Sequence, residues 1–246
     1  MHREAEPGWE YLRGRSEMTQ NCLYPKHFTR GFIRTAVSIA GVAVFCASGI
    51  ATAADPGEKI VKSLCVQCHR IEGKPAPRRT KKAPDLIWAG NKYRFDWLVA
   101  WLQNPEFKHY PVGYDFRPER KKRHLSLPAD QAKVVAEFLA ERKDVRIKVS
   151  VMKPGTPEQL ARGEKLYREH GCQNCHLTPA NTPKGYVGGT SSTSLLKLNE
   201  RLHPDWVYRF NQNPDDFEPD SGAYIPKPPL PDEDIYAITA YMMTFK

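Results

Sequence analysis

Two five-residue stretches carry the chemistry of this chain. Cys172-Gln173-Asn174-Cys175-His176 repeats, 107 residues further on, the pattern of Cys65-Val66-Gln67-Cys68-His69. Two thiols three positions apart on one helical turn can each form a thioether to a haem vinyl group, and the histidine that follows turns under the porphyrin to bind iron from the proximal side. On this reading Cys65, Cys68, Cys172 and Cys175 attach two covalently bound haem c groups, and His69 and His176 are the proximal ligands. A zinc site built from the two Cys pairs is the competing chemistry, but zinc has no need of a histidine directly after both second cysteines.

The chain has six cysteines, and the remaining two, Cys22 and Cys46, lie near the N-terminus, so no thiol is left for a structural disulfide or a Cys axial ligand. That N-terminal region reads as an export signal. Thr35 to Ala54 carries no charge, follows Lys26, Arg30 and Arg34, and ends in small residues at Ala51-Thr52-Ala53. Cleavage near Ala53 or Ala54 would start the mature chain at about Asp55. Glu4, Glu6, Glu10 and Glu17 suit a basic leader poorly, which makes Met18 a candidate true start. Retention of residues 1–54 as a membrane anchor is the alternative, because twenty mostly apolar residues can span a bilayer. Either way the remainder is expected outside the cytoplasm, in the periplasm, where c-type haem is attached.

The elements that must position the motifs come in two parallel sets. After Cys65 come Asp96-Trp97-Leu98, Asn104-Pro105, Leu127-Pro128-Ala129-Asp130 and the run Gln131 to Glu141. After Cys172 come Asp205-Trp206-Val207, Asn213-Pro214, Leu230-Pro231-Asp232 and the run Ile235 to Phe245. From Trp to Pro is eight residues in both, whereas Pro105 to Pro128 is six residues longer than Pro214 to Pro231, so one unit was duplicated and the first holds an insert. The spacing of apolar residues predicts helices over Gly57 to Leu64 and Pro157 to His170, each leading into a Cys pair. Asp96 and Asp205 are expected to cap middle helices that bury Trp97, Leu98, Trp101 and Leu102 in one unit and Trp206, Val207 and Phe210 in the other. No strong strand alternation appears. The periodicity breaks between Lys143 and Thr156, which gives domains at 55–145 and 157–246 with 146–156 as linker. Units of about 90 residues have small cores, and a buried haem makes up the deficit.

The pattern resembles a di-haem class I cytochrome c, two fused cytochrome c domains. The resemblance covers about Asp55 to Lys246 and rests on both Cys-x-x-Cys-His motifs, the Asp-Trp middle helices with Asn-Pro exits, and terminal helices ending in Glu137-Phe138-Leu139 and Ala240-Tyr241-Met242. It implies an all-α fold, two tandem cytochrome c-like domains each wrapped round one haem, and a role in passing single electrons.

The chain departs from that family on the distal side of each haem. The family's usual Met-Pro is missing: Ile225-Pro226 stands in the second unit, and the first has no Met between His69 and Met152. For the first haem His124, just before Leu127-Pro128, is the leading distal candidate, ahead of His109 and then Met152. For the second, Met242 and Met243 are expected in the core and His203 on the surface. Tyr224 is a candidate phenol ligand, and the leading expectation is five-coordinate iron or weak binding by water or Tyr224. Without Met, the first haem should have a lower reduction potential than an ordinary cytochrome c.

Charge is divided unevenly. Residues 55–150 hold 21 Lys and Arg against 12 Asp and Glu, and residues 151–246 hold 10 against 12. The basic run Arg117, Arg120, Lys121, Lys122, Arg123 could dock a redox protein with an acidic face or lie on anionic lipid; nucleic acid is not expected to meet an exported haem protein. Electron transfer is the preferred function. A haem enzyme or small-ligand binder using the open second iron, with the Thr178 to Gly189 loop shaping its pocket, is the alternative.

Overall fold

The computed structural model describes residues 55–77, 80–105, 124–220 and 229–246. The N-terminal segment, the basic run 117–123, His109 and the stretch with Tyr224 and Ile225 lie outside the described residues.

Each unit is built on a first helix crossed by its last. In the first unit, α1 (Pro56–Ile60) is capped by Asp55, whose carboxylate accepts the amides of Gly57 and Glu58, and continues as a π turn, Val61–Cys65. In the second, α5 (Pro157–Glu169) opens with a capping box in which Thr156 and Gln159 each accept the other's amide. The last helices are α4 (Ala129–Ala140) and α8 (Asp232–Met242). A glycine makes each crossing close. A Cβ on Gly57 would stand 2.1 Å from the Val134 carbonyl oxygen, and one on Gly163 would stand 2.0 Å from that of Ala237. Only a residue without a side chain lets the two backbones approach so closely.

Between first and last helices come α2 (Ala89–Lys92) and α3 (Phe95–Gln103) in one unit, and α6 (Leu198–Arg201) and α7 (Pro204–Gln212) in the other. The strand content of the described residues is a short antiparallel pair, β1 (Thr178–Pro179) with β2 (Tyr186–Val187), plus an isolated bridge. The fold is all-α in two tandem halves of one plan, as expected.

The middle helices depart from expectation in two ways. Their N-caps are Arg94 and His203, with Asp96 and Asp205 in the first turn, where a carboxylate still favours the helix dipole. The Asp205 carboxylate faces the connection instead, accepting the amides of Ser150 and Met152, each at 2.7 Å. Leu98, Leu102, Trp206 and Val207 are buried as predicted, but Trp97, Trp101 and Phe210 are only partly covered.

The halves meet through equivalent residues. Between Pro84/Thr193 and Pro105/Pro214 the two units match with an offset of 109, as Trp97 matches Trp206. The isolated bridge joins Tyr93 to its own counterpart Leu202. The Arg94 amide donates to the Arg201 carbonyl, and the equivalent His203 amide donates to the Lys92 carbonyl. This reciprocity is the mark of a two-fold contact between like surfaces. His203 therefore lies half-buried in the seam and not on the open surface. Side chains break the symmetry: Trp88 of the first half stacks on Trp206 at 5.6 Å and meets the edge of Phe217 at 5.1 Å, inside the second core.

Candidate haem sites

The first motif sits at the end of the π turn. Cys65 is partly covered and Cys68 exposed, and burial pushes the Cys65 thiol up. The carbonyl of Cys65 accepts the amides of both Cys68 and His69, which folds the motif into a turn. The His69 Nδ1–H donates to the Pro84 carbonyl at 2.6 Å, since a carbonyl can only accept. That bond fixes the tautomer, leaving Nε2 with its lone pair for a metal.

The second motif repeats this arrangement by other means. Cys172 opens a short 3₁₀ turn after Gly171, which takes φ +64°. Cys172 is partly covered and Cys175 exposed, and burial again pushes up the thiol of the first. The His176 Nδ1–H donates to the Thr193 carbonyl at 2.5 Å. Thr193 is the counterpart of Pro84 under the 109-residue offset, so both candidate proximal histidines are oriented by the same backbone position.

His124 is placed against His69. The two rings are 6.0 Å apart between centroids, inclined at 66°. Two metal–imidazole bonds of about 2 Å each, plus the short reach from each nitrogen to its ring centre, span roughly that distance. The His124 Nδ1–H donates to the Leu125 carbonyl at 2.8 Å, which again leaves Nε2 unprotonated. Burial lowers both imidazole pKa values, favouring the neutral form that binds metal.

The segment carrying His124 is pinned to the end of α3. The Leu127 amide donates to the Leu102 carbonyl at 2.9 Å, and the Ser126 hydroxyl donates to that of Gln103. Trp101 packs against the His124 ring at 4.4 Å and is backed by Trp97 at 5.8 Å and then Tyr93 at 5.6 Å. Sequence reasoning gave these tryptophans to the core and missed that their stacked face holds a candidate ligand. The Trp-x-x-x-Trp spacing in α3, one face of a helix, was the available signal.

Other candidates are placed elsewhere. Met152 is buried with its amide held by Asp205 at the start of α7. Met242 lies in the second core as expected, its sulfur facing the Asn211 amide at 3.9 Å. Among the described residues no three His, Cys, Asp or Glu side chains form a metal cage, so the two Cys pairs are not assembled as zinc would require.

The family model for cytochrome c matches residues 54–143 and 160–246, well over half of the chain. The chain belongs to the cytochrome c family. No curated protein and no solved structure matches it, so the likeness stands at the level of the family. Cytochrome c domains bind covalently attached haem c and serve haem-based electron transfer, and the residues here fit that group. In this cytochrome each site offers a thiol pair on one turn and an oriented imidazole. Half-exposed apolar side chains, Leu64 and Val66 beside Cys65 and Leu125 beside His124, border the first site.

Proposed function

We propose that this cytochrome c is an exported, periplasmic carrier with two haem c groups that passes single electrons between redox partners, the first haem being held between His69 and His124. The observation that carries the reading is the pair of facing imidazoles, 6.0 Å apart, each with Nδ1–H committed to a backbone carbonyl.

The bound haem supplies the one-electron couple. The chain's own residues do the rest. Cys65, Cys68, Cys172 and Cys175 tether, and His69 and His176 ligate from orientations set by Pro84 and Thr193. His124, braced by Trp101, closes the distal side of the first site and excludes exogenous ligands. Two nitrogen ligands lack the pull of a Met sulfur, so the first haem has a lower potential than a His/Met cytochrome c. The excess of basic residues in the first half suits a partner with an acidic face.

For the second haem Tyr224 remains the candidate distal ligand by its place in the sequence. The iron of that haem is five-coordinate or weakly ligated. Carbon monoxide added to the reduced protein tests both assignments, with uptake by one haem of two expected. Uptake by both, or by neither, overturns the scheme.

A further inference from the structure

One buried ion cluster joins the halves beside the first proximal histidine. The Lys81 side chain is 1 % exposed and its ammonium lies 2.9 Å from the Asp85 carboxylate, itself 2 % exposed. Across the seam the same ammonium donates to the Phe217 carbonyl at 3.1 Å and stands 3.9 Å from the Glu218 carboxylate, which is 13 % exposed. Asp85 also accepts the Ala76 amide at 3.2 Å. Such burial is costly for three ionised groups.

The position of the cluster gives it a use. Asp85 directly follows Pro84, whose carbonyl orients His69, and its carboxylate is one of the charges that act on the His69 ring, with Lys92 and His124. Asp85 and Glu218 each bring a carboxylate to this seam. A buried negative charge near an iron stabilises the oxidised state, which carries one more positive charge than the reduced state.

We infer that Lys81, Asp85 and Glu218 form a charge cluster that sets the reduction potential of the first haem, with the second half contributing part of the charge across the seam. Asp85 and Glu218 hold the potential down, Lys81 limits how far, and Phe217 and Glu218 make the setting depend on the halves remaining docked. The inference rests on His69 being the iron ligand of the first haem.

Redox titration of the intact di-haem protein, following each haem by its own spectrum, tests it with Glu218→Gln and Asp85→Asn. Both substitutions keep side-chain shape and remove one negative charge. At the potential where the wild-type first haem is half reduced, each variant is expected to show a reduced-to-oxidised ratio about three- to tenfold higher, with a smaller change at the second haem. A change below about twofold at the first haem in both variants, or equal changes at both haems, overturns the inference. The underlying reading fails in a different way, by a wild-type haem content below two per chain.

Discussion

In the first half the helix before the cysteine pair runs straight into it through the π turn Val61–Cys65. In the second, α5 stops at Glu169 and Gly171 resets the chain in the left-handed region before Cys172. Eight residues separate the crossing glycine from the first cysteine in one half and nine in the other, and each device absorbs its own count. The loops that leave the motifs differ more. After His69 the return is made by the Leu86 amide donating to the Arg70 carbonyl. After His176 the counterpart bond, from the Leu195 amide to the Leu177 carbonyl, is joined by the Gly189 and Ser192 amides donating to the carbonyls of Gln173 and Cys175, so that residues 188–195 clasp the motif. Against this variation, four features coincide: the glycine crossing, the cysteine turn, the histidine Nδ1–H on a carbonyl at the same aligned position, and the return bond to the residue after the histidine. What is shared is what holds an imidazole at a fixed place below a tethered ring; the path of the chain to and from it is free to drift.

The largest expected effect separates the halves at the distal side. In His124→Ala the first haem loses its low-spin bis-imidazole signature by magnetic resonance and takes up carbon monoxide, while the spectrum of the second haem is unchanged. In His124→Met the potential of the first haem rises, because sulfur favours the reduced iron. A His124→Ala protein with both spectra unaltered would show that the facing rings are a packing contact only.

The halves also differ in how much could be read in advance. The cysteine pairs, proximal histidines, helix order and duplication are local: each lies within a few residues or repeats at a constant offset. That His124 faces His69 was foreseeable only as far as a ligand-competent side chain stands where the family's Met is missing. The seam was not, since Tyr93 meeting Leu202 and Lys81 reaching Phe217 depend on pairing over more than 100 residues, and no periodicity encodes that. Asp205 was misassigned for a related reason. Like Asp96 it is the second residue of its helix, inside the turn it was expected to cap, and its carboxylate is taken by two linker amides 55 and 53 residues away. Trp88 was invisible too, lying outside any helical pattern and completing the core of the other half.

Next in size is the glycine crossing, which sharpens the claim that the halves share one plan. Gly57→Ala and Gly163→Ala each drive a methyl group into a backbone carbonyl of the last helix. Each is expected to cost about 2–3 kcal/mol in urea unfolding, because backbone cannot step aside as a side chain can. A cost in one half only would mean that the second crossing relaxes and the plan is not shared in energy.

The loops after the motifs give a smaller and deliberately unequal pair. Gly188 has φ +112° and a Cβ there would lie 2.1 Å from the His176 carbonyl oxygen, whereas Gly73 has φ +79° and nothing within 4 Å of the same atom. Gly73→Ala carries only the left-handed strain of about 1 kcal/mol. Gly188→Ala adds a clash with the clasp and is expected to reach about 2–3 kcal/mol and to disturb the second haem's spectrum. Equal costs would show that the clasp around His176 is slack.

The smallest effect concerns the starts of the first helices. Asp55→Ala removes an acceptor shared by two amides, the closer at 2.6 Å, and Thr156→Ala removes one half of a reciprocal pair. Each cap is expected to contribute about 1 kcal/mol by thermal or urea unfolding. The two should differ in their response to salt. Asp55 carries a full charge at the positive end of α1, and that part of its effect is screened as ionic strength rises. Thr156 acts through a neutral hydroxyl and should cost the same in low and high salt. If the cost of Asp55→Ala is equally indifferent to salt, its carboxylate acts as a hydrogen-bond acceptor alone and the two helix starts are energetically alike.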